Sequence, residues 1–157
     1  MTTLQAGDPA PAFSGLNEQG ETIRLADFQG KKLVLFFYPK DNTPGCTAEA
    51  CNLRDNYEAL TTAGYALLGV SADSARKHTN FINKFDLPFS LIADTEREVI
   101  EAFGVWGPKK FMGREFDGIH RTTFVIDEKG IIEKVIRKVK TGNHTAQILE
   151  ATEETTG

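Results

Sequence analysis

Leu33-Val34-Leu35-Phe36-Phe37-Tyr38 is an unbroken apolar run bounded by Lys32 and Pro39, the pattern of a strand buried on both faces and hence central in a sheet. Beyond Pro39-Lys40-Asp41-Asn42 the period becomes helical. Thr43 offers an N-cap, and Pro44 a first helical residue whose missing N–H costs nothing. Cys46, Ala50, Leu53, Tyr57 and Leu60 then recur at alternating spacings of four and three as far as Gly64, which predicts one helix with that stripe on the sheet. Tyr65 to Val70 reads as a second buried strand. Ser71-Ala72-Asp73-Ser74 supplies caps for a helix through Phe85, with His78, Phe81, Ile82 and Phe85 inward. Leu87 to Ile92 is a short strand candidate, and Thr95 caps a predicted helix through Phe103.

The flanks are more irregular. Gly7, Pro9, Pro11, Gly15, Gly20 and Gly30 punctuate the first 30 residues, where short runs at Ala12-Phe13 and Thr22 to Leu25 are predicted to pair as a hairpin. Gly104 to Gly118 reads as a loop. Thr122 to Ile126 and Ile131 to Ile136 flank Asp127-Glu128-Lys129-Gly130, a hairpin signal. A last helix starts near Asn143 and frays into the acidic tail Glu150 to Gly157. Alternating strands and helices imply right-handed crossovers and a parallel core, hence an α/β fold. The order fits a thioredoxin-like sheet with an N-terminal hairpin extension and a strand-helix insertion.

The chain has 157 residues, enough for one domain that buries about 68–70% of its unfolded surface. Hydrophobic and charged fractions of 40% and 25% exclude disorder and membrane spanning. With 18 Lys and Arg against 22 Asp and Glu, the chain has no net attraction for nucleic acid or an anionic membrane. Two cysteines make no disulfide scaffold, and with His78, His120 and His144 they match no zinc spacing. No metal or cofactor is expected. The opening Met-Thr-Thr-Leu-Gln-Ala-Gly-Asp-Pro lacks the features of a signal or transit peptide. A cytoplasmic location is expected, where two neighbouring thiols suggest redox chemistry.

Cys46 falls in the first turn of the helix that leaves the central strand. Unpaired N–H groups and the positive end of the helix dipole favour an anion there. First-turn cysteines are accordingly the ones with depressed pKa, and the thiolate is the nucleophile. The competing assignment is a small core residue, because Cys46 also begins the apolar stripe. Cys51, five residues on, is rotated by about 140° and displaced by about 7.5 Å on an α-helix, so the two Cα atoms are about 8.6 Å apart. A disulfide requires less than about 7 Å, so the pair can bond only if the helix unwinds. Cys51 points away from the stripe, toward Thr47, Asp55 and Glu58, as a partly exposed thiol.

Pro39-x-x-x-Thr43-x-x-Cys46 resembles the active-site motif of peroxiredoxins, and Phe37-Tyr38-Pro39-Lys40-Asp41 through Cys51 is similar to the bacterioferritin-comigratory (Q-type) subfamily. Gly7-Asp8, Pro11, Phe13, Gly69-Val70-Ser71, His78, Leu87-Pro88-Phe89, Gly104-Val105 and Arg121 to Asp127 extend the likeness over most of the chain. The resemblance implies that Cys46 is the peroxidatic cysteine and that the Thr43 hydroxyl holds the peroxide. It makes Arg121 the cation beside them, Pro39 a shield, and Glu49 the acid that orients the arginine. Each role suits attack of sulfur on an O–O bond, which needs a desolvated thiolate and donors for both oxygens. Taken alone, Thr43 is an N-cap, Arg121 a polar residue at a strand start and Glu49 a helix-surface carboxylate. His78 reads as packing or a local hydrogen bond, and Lys134, Arg137, Lys138 and Lys140 as a solvated face. Leu53 stands where the family more often has an aromatic, and Phe116-Asp117-Gly118 departs from its usual apolar approach to the arginine.

The expected activity is reduction of hydrogen peroxide or an alkyl hydroperoxide by Cys46, which becomes a sulfenic acid. Cys51 resolves it to an intramolecular disulfide, and thioredoxin or a similar dithiol reopens that bond. The subfamily resemblance suggests a monomer. Two alternatives are a thiol-disulfide oxidoreductase, disfavoured by the absent Cys-x-x-Cys, and a thioredoxin-fold redox sensor that does not turn over.

Overall fold

A computed structural model describes residues 1–150. In chain order the elements are β1 (Ser14–Leu16), β2 (Thr22–Arg24), β3 (Lys32–Phe37), α1 (Pro44–Asp55), α2 (Tyr57–Thr62), β4 (Tyr65–Ser71), α3 (Ala75–Phe85) and β5 (Ser90–Ala93). They continue with α4 (Glu98–Ala102), β6 (Trp106–Phe111), β7 (Arg114–Ile119), β8 (Thr122–Ile126), β9 (Ile132–Ile136) and α5 (His144–Leu149). Five strands form the central sheet in the order β5-β4-β3-β8-β9. β3, β4 and β5 are parallel, and β8 runs antiparallel to both β3 and β9. This is the mixed α/β, thioredoxin-like arrangement with an N-terminal hairpin.

The apolar run of β3 is central because both its faces are buried. Alternation sends Leu33, Leu35 and Phe37 to a core shared with Phe13, Phe103, Phe124 and α4. Val34, Phe36 and Tyr38 face a second core with Cys46, Ala50, Leu53, Leu60, Phe81 and Ile148. Gly69 on β4 has a steric reason. A Cβ there would stand 2.6 Å from a Leu91 methyl and 2.8 Å from the Phe36 ring.

Several elements differ from expectation. The predicted helix to Gly64 is two helices broken at Asn56, whose side-chain amide donates to the Asn52 carbonyl at 2.8 Å. Asparagine competes in this way with the backbone ladder. The stripe survives the break: Cys46, Ala50, Leu53 and Leu60 are all buried, with Tyr57 half-buried. α4 begins at Glu98 rather than near Thr95, after a left-handed Arg97, and the Asp94 carboxylate accepts the Ile100 N–H at 2.7 Å. The segment read as a loop from Gly104 to Gly118 is largely the antiparallel hairpin β6-β7. Its turn uses Met112 and Gly113, both at positive φ. Methionine is an unusual residue there, so the ordinary hairpin signal is missing.

β1 starts two residues later than Ala12, although the Leu25 N–H still reaches the Phe13 carbonyl. Lys134 is not on a solvated face. It is buried beneath α5 and donates to the carbonyls of Gln147, Ile148 and Glu150. An ammonium at the C-terminal end of a helix meets its orphan carbonyls and the negative end of its dipole, which is why this lysine tolerates burial. Of the predicted acidic tail, residues 151–157 lie outside the described residues.

Candidate active site

The loop from β3 to α1 is held by a buried polar network. The Tyr38 hydroxyl donates to Asp41 Oδ1 at 2.5 Å, and His78 Nδ1 lies 2.6 Å from Asp41 Oδ2. Asp73 accepts the Asp41 N–H and the Ser71 hydroxyl, both at 2.7 Å. His78, fully buried, also donates from Nε2 to the Ile92 carbonyl at 2.8 Å, so it is the local hydrogen-bonding residue expected and anchors this loop. Burial and the neighbouring Asp41 carboxylate push the Tyr38 phenol well above its ordinary value, keeping it a neutral donor. Asp41, Asp73 and His78 bring three possible metal-ligand atoms within 4.8 Å of one another. Each residue is already engaged in this network. It fixes the turn through Asn42, which sits at φ 62° and is a residue type that tolerates it.

The loop delivers Cys46 to the first turn of α1. Its side chain is 2% exposed and free, one face against the sheet core and the other toward Arg121. Arg121 immediately precedes β8, next to β3 in the sheet, and this adjacency carries it to α1. Its Nη2 donates to Cys46 Sγ at 3.3 Å and its Nη1 to Glu49 Oε1 at 2.7 Å. Burial works against the guanidinium charge. Glu49 and Cys46 outweigh it and hold the arginine above its ordinary value.

Gly45 leaves room for this approach. A Cβ at this position would lie 3.1 Å from Arg121 Nη2.

Glu49 differs from the helix-surface carboxylate that its sequence context suggests, since it is 1% exposed. Burial raises its pKa from the ordinary 4.5, against the opposing pull of His144 and Arg121. Thr43 occupies the N-cap position but does not cap through its side chain; its hydroxyl donates to the Lys40 carbonyl at 2.8 Å. The backbone N–H groups of the first helical turn are therefore not covered by the Thr43 side chain. Pro39 is half-buried two residues beyond β3. Cys51 is free and half-buried on the same unbroken helix as Cys46.

Two neighbours escaped the sequence reading. Lys109, within the hairpin missed as a loop, donates to the Ile119 carbonyl at 2.9 Å. Burial and repulsion from Arg121 lower its pKa, while Cys46 pulls the other way, so a second cation shares the field of the thiol. His144 opens α5 and lies 3.5 Å from Glu49. Neither has a local sequence signal, because both reach the site through long-range packing.

A buried thiol set against an arginine, on the first turn of a helix that leaves the central strand of a thioredoxin-like sheet, defines the class of thiol peroxidases. The AhpC/TSA family matches residues 6–135. The chain is 49% identical over 149 residues to peroxiredoxin Bcp of Escherichia coli K12, covering 95% of this chain and 96% of that one. It is 47% identical over 148 residues to peroxiredoxin Bcp of Bacillus subtilis 168, covering 94% of each. The solved bacterioferritin comigratory protein of Xanthomonas campestris, described by its alkyl peroxide reduction activity, superposes with a TM-score of 0.85 at 33% identity over 98% of each chain. The chain belongs to the AhpC/TSA family and, within it, to the Bcp and peroxiredoxin Q group.

Proposed function

We propose that this protein is a thiol peroxidase in which Cys46 reduces hydrogen peroxide or an alkyl hydroperoxide. The observation that carries this is the single guanidinium shared between Cys46 Sγ and the buried Glu49. The Cys46 thiolate attacks the terminal peroxide oxygen, the O–O bond breaks, and the departing oxygen leaves as water or an alcohol after taking a proton. Cys46 is then a sulfenic acid. Arg121 favours the thiolate and holds the peroxide oxygens, with five donors in a fixed fork that never deprotonates. Glu49 orients that fork. The Thr43 hydroxyl, its own hydrogen on the Lys40 carbonyl, accepts from the peroxide O–H beside the thiol turn, and Pro39 shields the pocket from water.

Cys51 then attacks the sulfenic sulfur and expels water, leaving an intramolecular disulfide. A thioredoxin-like dithiol reduces it by exchange. Both thiols belong to one chain, so the cycle needs no second subunit, and a cytoplasmic monomer is the proposed working form. Among the described residues no helix is long and apolar enough to cross a membrane.

Intact-mass analysis of the reduced protein after one equivalent of peroxide tests the scheme. The expected product is the monomer lacking two hydrogens, and continued peroxide consumption when dithiol is supplied. A covalent dimer, or a single stoichiometric oxidation without turnover, contradicts it.

A further inference from the structure

Glu49 has two carboxylate oxygens, and the site described above uses only one. Oε1 accepts from Arg121; Oε2 is, among the described residues, the one buried side-chain polar atom without a hydrogen-bond partner. A buried carboxylate oxygen facing nothing is costly. What it faces is Nε2 of the fully buried His144, 3.5 Å away.

The proton positions on His144 follow from its neighbours. Gln147 Nε2 donates to the Lys138 carbonyl and Gln147 Oε1 accepts the Lys140 N–H, each at 2.8 Å, which fixes the amide's orientation. Gln147 Oε1 can only accept, so His144 Nδ1, 2.9 Å away, carries a hydrogen. Nε2 then either bears no proton and accepts from the Thr123 hydroxyl, 2.8 Å away, or carries a second one. In the first case Thr123 takes up the lone pair, and the neutral ring does nothing to offset the charge of the buried Glu49 oxygen 3.5 Å away. In the second, Nε2–H donates to Thr123 Oγ1, and the imidazolium, 3.5 Å from Glu49 Oε2, offsets the carboxylate charge.

We infer that His144 is a positioning residue of the peroxide site, carrying a proton on Nε2 so that the cationic ring beside Glu49 keeps it charged and turned to Arg121. The relay is Thr123, His144, Glu49, Arg121, Cys46, and it draws on β8, α5 and α1. Its charges come from Arg121, from the His144-Glu49 pair and from the Cys46 thiolate one helical turn before Glu49. With the proton present, these groups sum to zero. Without it, the same groups sum to −1, and the excess negative charge beside the thiolate opposes its formation.

α5 and the turn before it are fastened to α1 through Asn52. Asn52 Oδ1 accepts the Thr145 N–H at 2.8 Å, and Asn52 Nδ2 donates to the Gly142 carbonyl at 3.2 Å. The inference rests on the assignment of Arg121 and Glu49 to the peroxide site, and its test separates the two. Nitrogen NMR of the reduced wild-type protein at pH 7 reads the proton without any activity. Both ring nitrogens of His144 should be protonated, and Nε2 should lose its proton in Glu49→Gln; a bare Nε2 in the wild type overturns the inference.

Rates of peroxide reduction give the second arm. His144→Gln should slow the reaction on the order of tenfold, as loss of an outer orienting partner does, and should cause no further loss in a Glu49→Gln background. An equal fold-loss in both backgrounds would mark His144 as merely structural. Arg121→Ala is the control: if it reacts at the wild-type rate, the site assignment itself fails. If it is slow while His144→Gln is not, only the inference fails.

Discussion

Cys46 and Cys51 are five residues apart on one helix, yet their surroundings differ: Cys46 is sealed between the core and Arg121, and Cys51 is half-buried with no arginine hydrogen bond. Cys46→Ser is expected to abolish peroxide reduction, whereas Cys51→Ser should react once and stall as a sulfenate open to overoxidation. Stopped-flow reaction of each variant with one equivalent of peroxide checks this, and equal loss of the fast step in both would reverse the assignment. Arg121→Ala takes a hydrogen-bonding cation from the sulfur. The peroxide step should slow by about 10²–10³-fold, the usual cost of one preorganised donor at a developing charge. Lysine should restore part of the rate, since it returns the charge but not the fork.

Glu49 makes a pH statement about stability. Burial raises its folded-state pKa above 4.5, so the folded protein binds that proton more tightly than the unfolded chain does. Its contribution is fully present below the unfolded value and is lost as pH rises through the folded one. Denaturant titrations from about pH 4 to 7 should therefore show the wild type losing stability relative to Glu49→Gln as pH increases. A flat or rising difference would mean that the carboxylate is not held against its burial.

At the scale of elements, α1 is the part that must move. It runs unbroken from Pro44 to Asp55 and holds both cysteines, whose Cα separation of about 8.6 Å on a regular helix is too long for a disulfide. Oxidation must unwind its first turns, parting Cys46 from Arg121 and Glu49 from His144. The break at Asn56 gives this unwinding a natural boundary, because α2 has its own buried anchor in Leu60. Amide hydrogen exchange should accelerate from Gly45 to about Asp55 in the disulfide form and stay unchanged in α2 and the central sheet. Equal protection of α1 in both redox states, with the internal disulfide confirmed, would exclude a regular helix in the reduced form.

For the whole molecule, the sheet separates chemistry from bulk stability. Phe37, Phe103 and Phe124 interlock with centroid distances of 5.0–5.8 Å on the face away from Cys46, and Phe13 packs on Phe103 at 6.1 Å. Phe103→Ala should cost about 3–5 kcal/mol through lost burial and a residual cavity. Under conditions where the variant remains folded, its rate with peroxide should stay at the wild-type value. A parallel loss of rate and stability would show that the two faces are mechanically coupled.

The buried strands, the apolar stripe of α1 and the inward face of α3 were legible in the sequence because periodicity and burial are local consequences of residue type. The placement of Cys46 in a first helical turn was legible for the same reason, from Pro44 and the stripe that follows. The meeting of Cys46 with Arg121, 75 residues later, was carried only by resemblance to a known motif, since nothing local pairs those positions. The tertiary structure alone decided which polar groups are buried. Glu49 and Lys134 look like surface residues in sequence, but α1 and β9 turn them inward, where Arg121 and the terminal carbonyls of α5 meet them. Lys109 and His144 join the site by the same long-range packing. Burying a charge depends on what the rest of the chain brings to it, and no local pattern of residues encodes that.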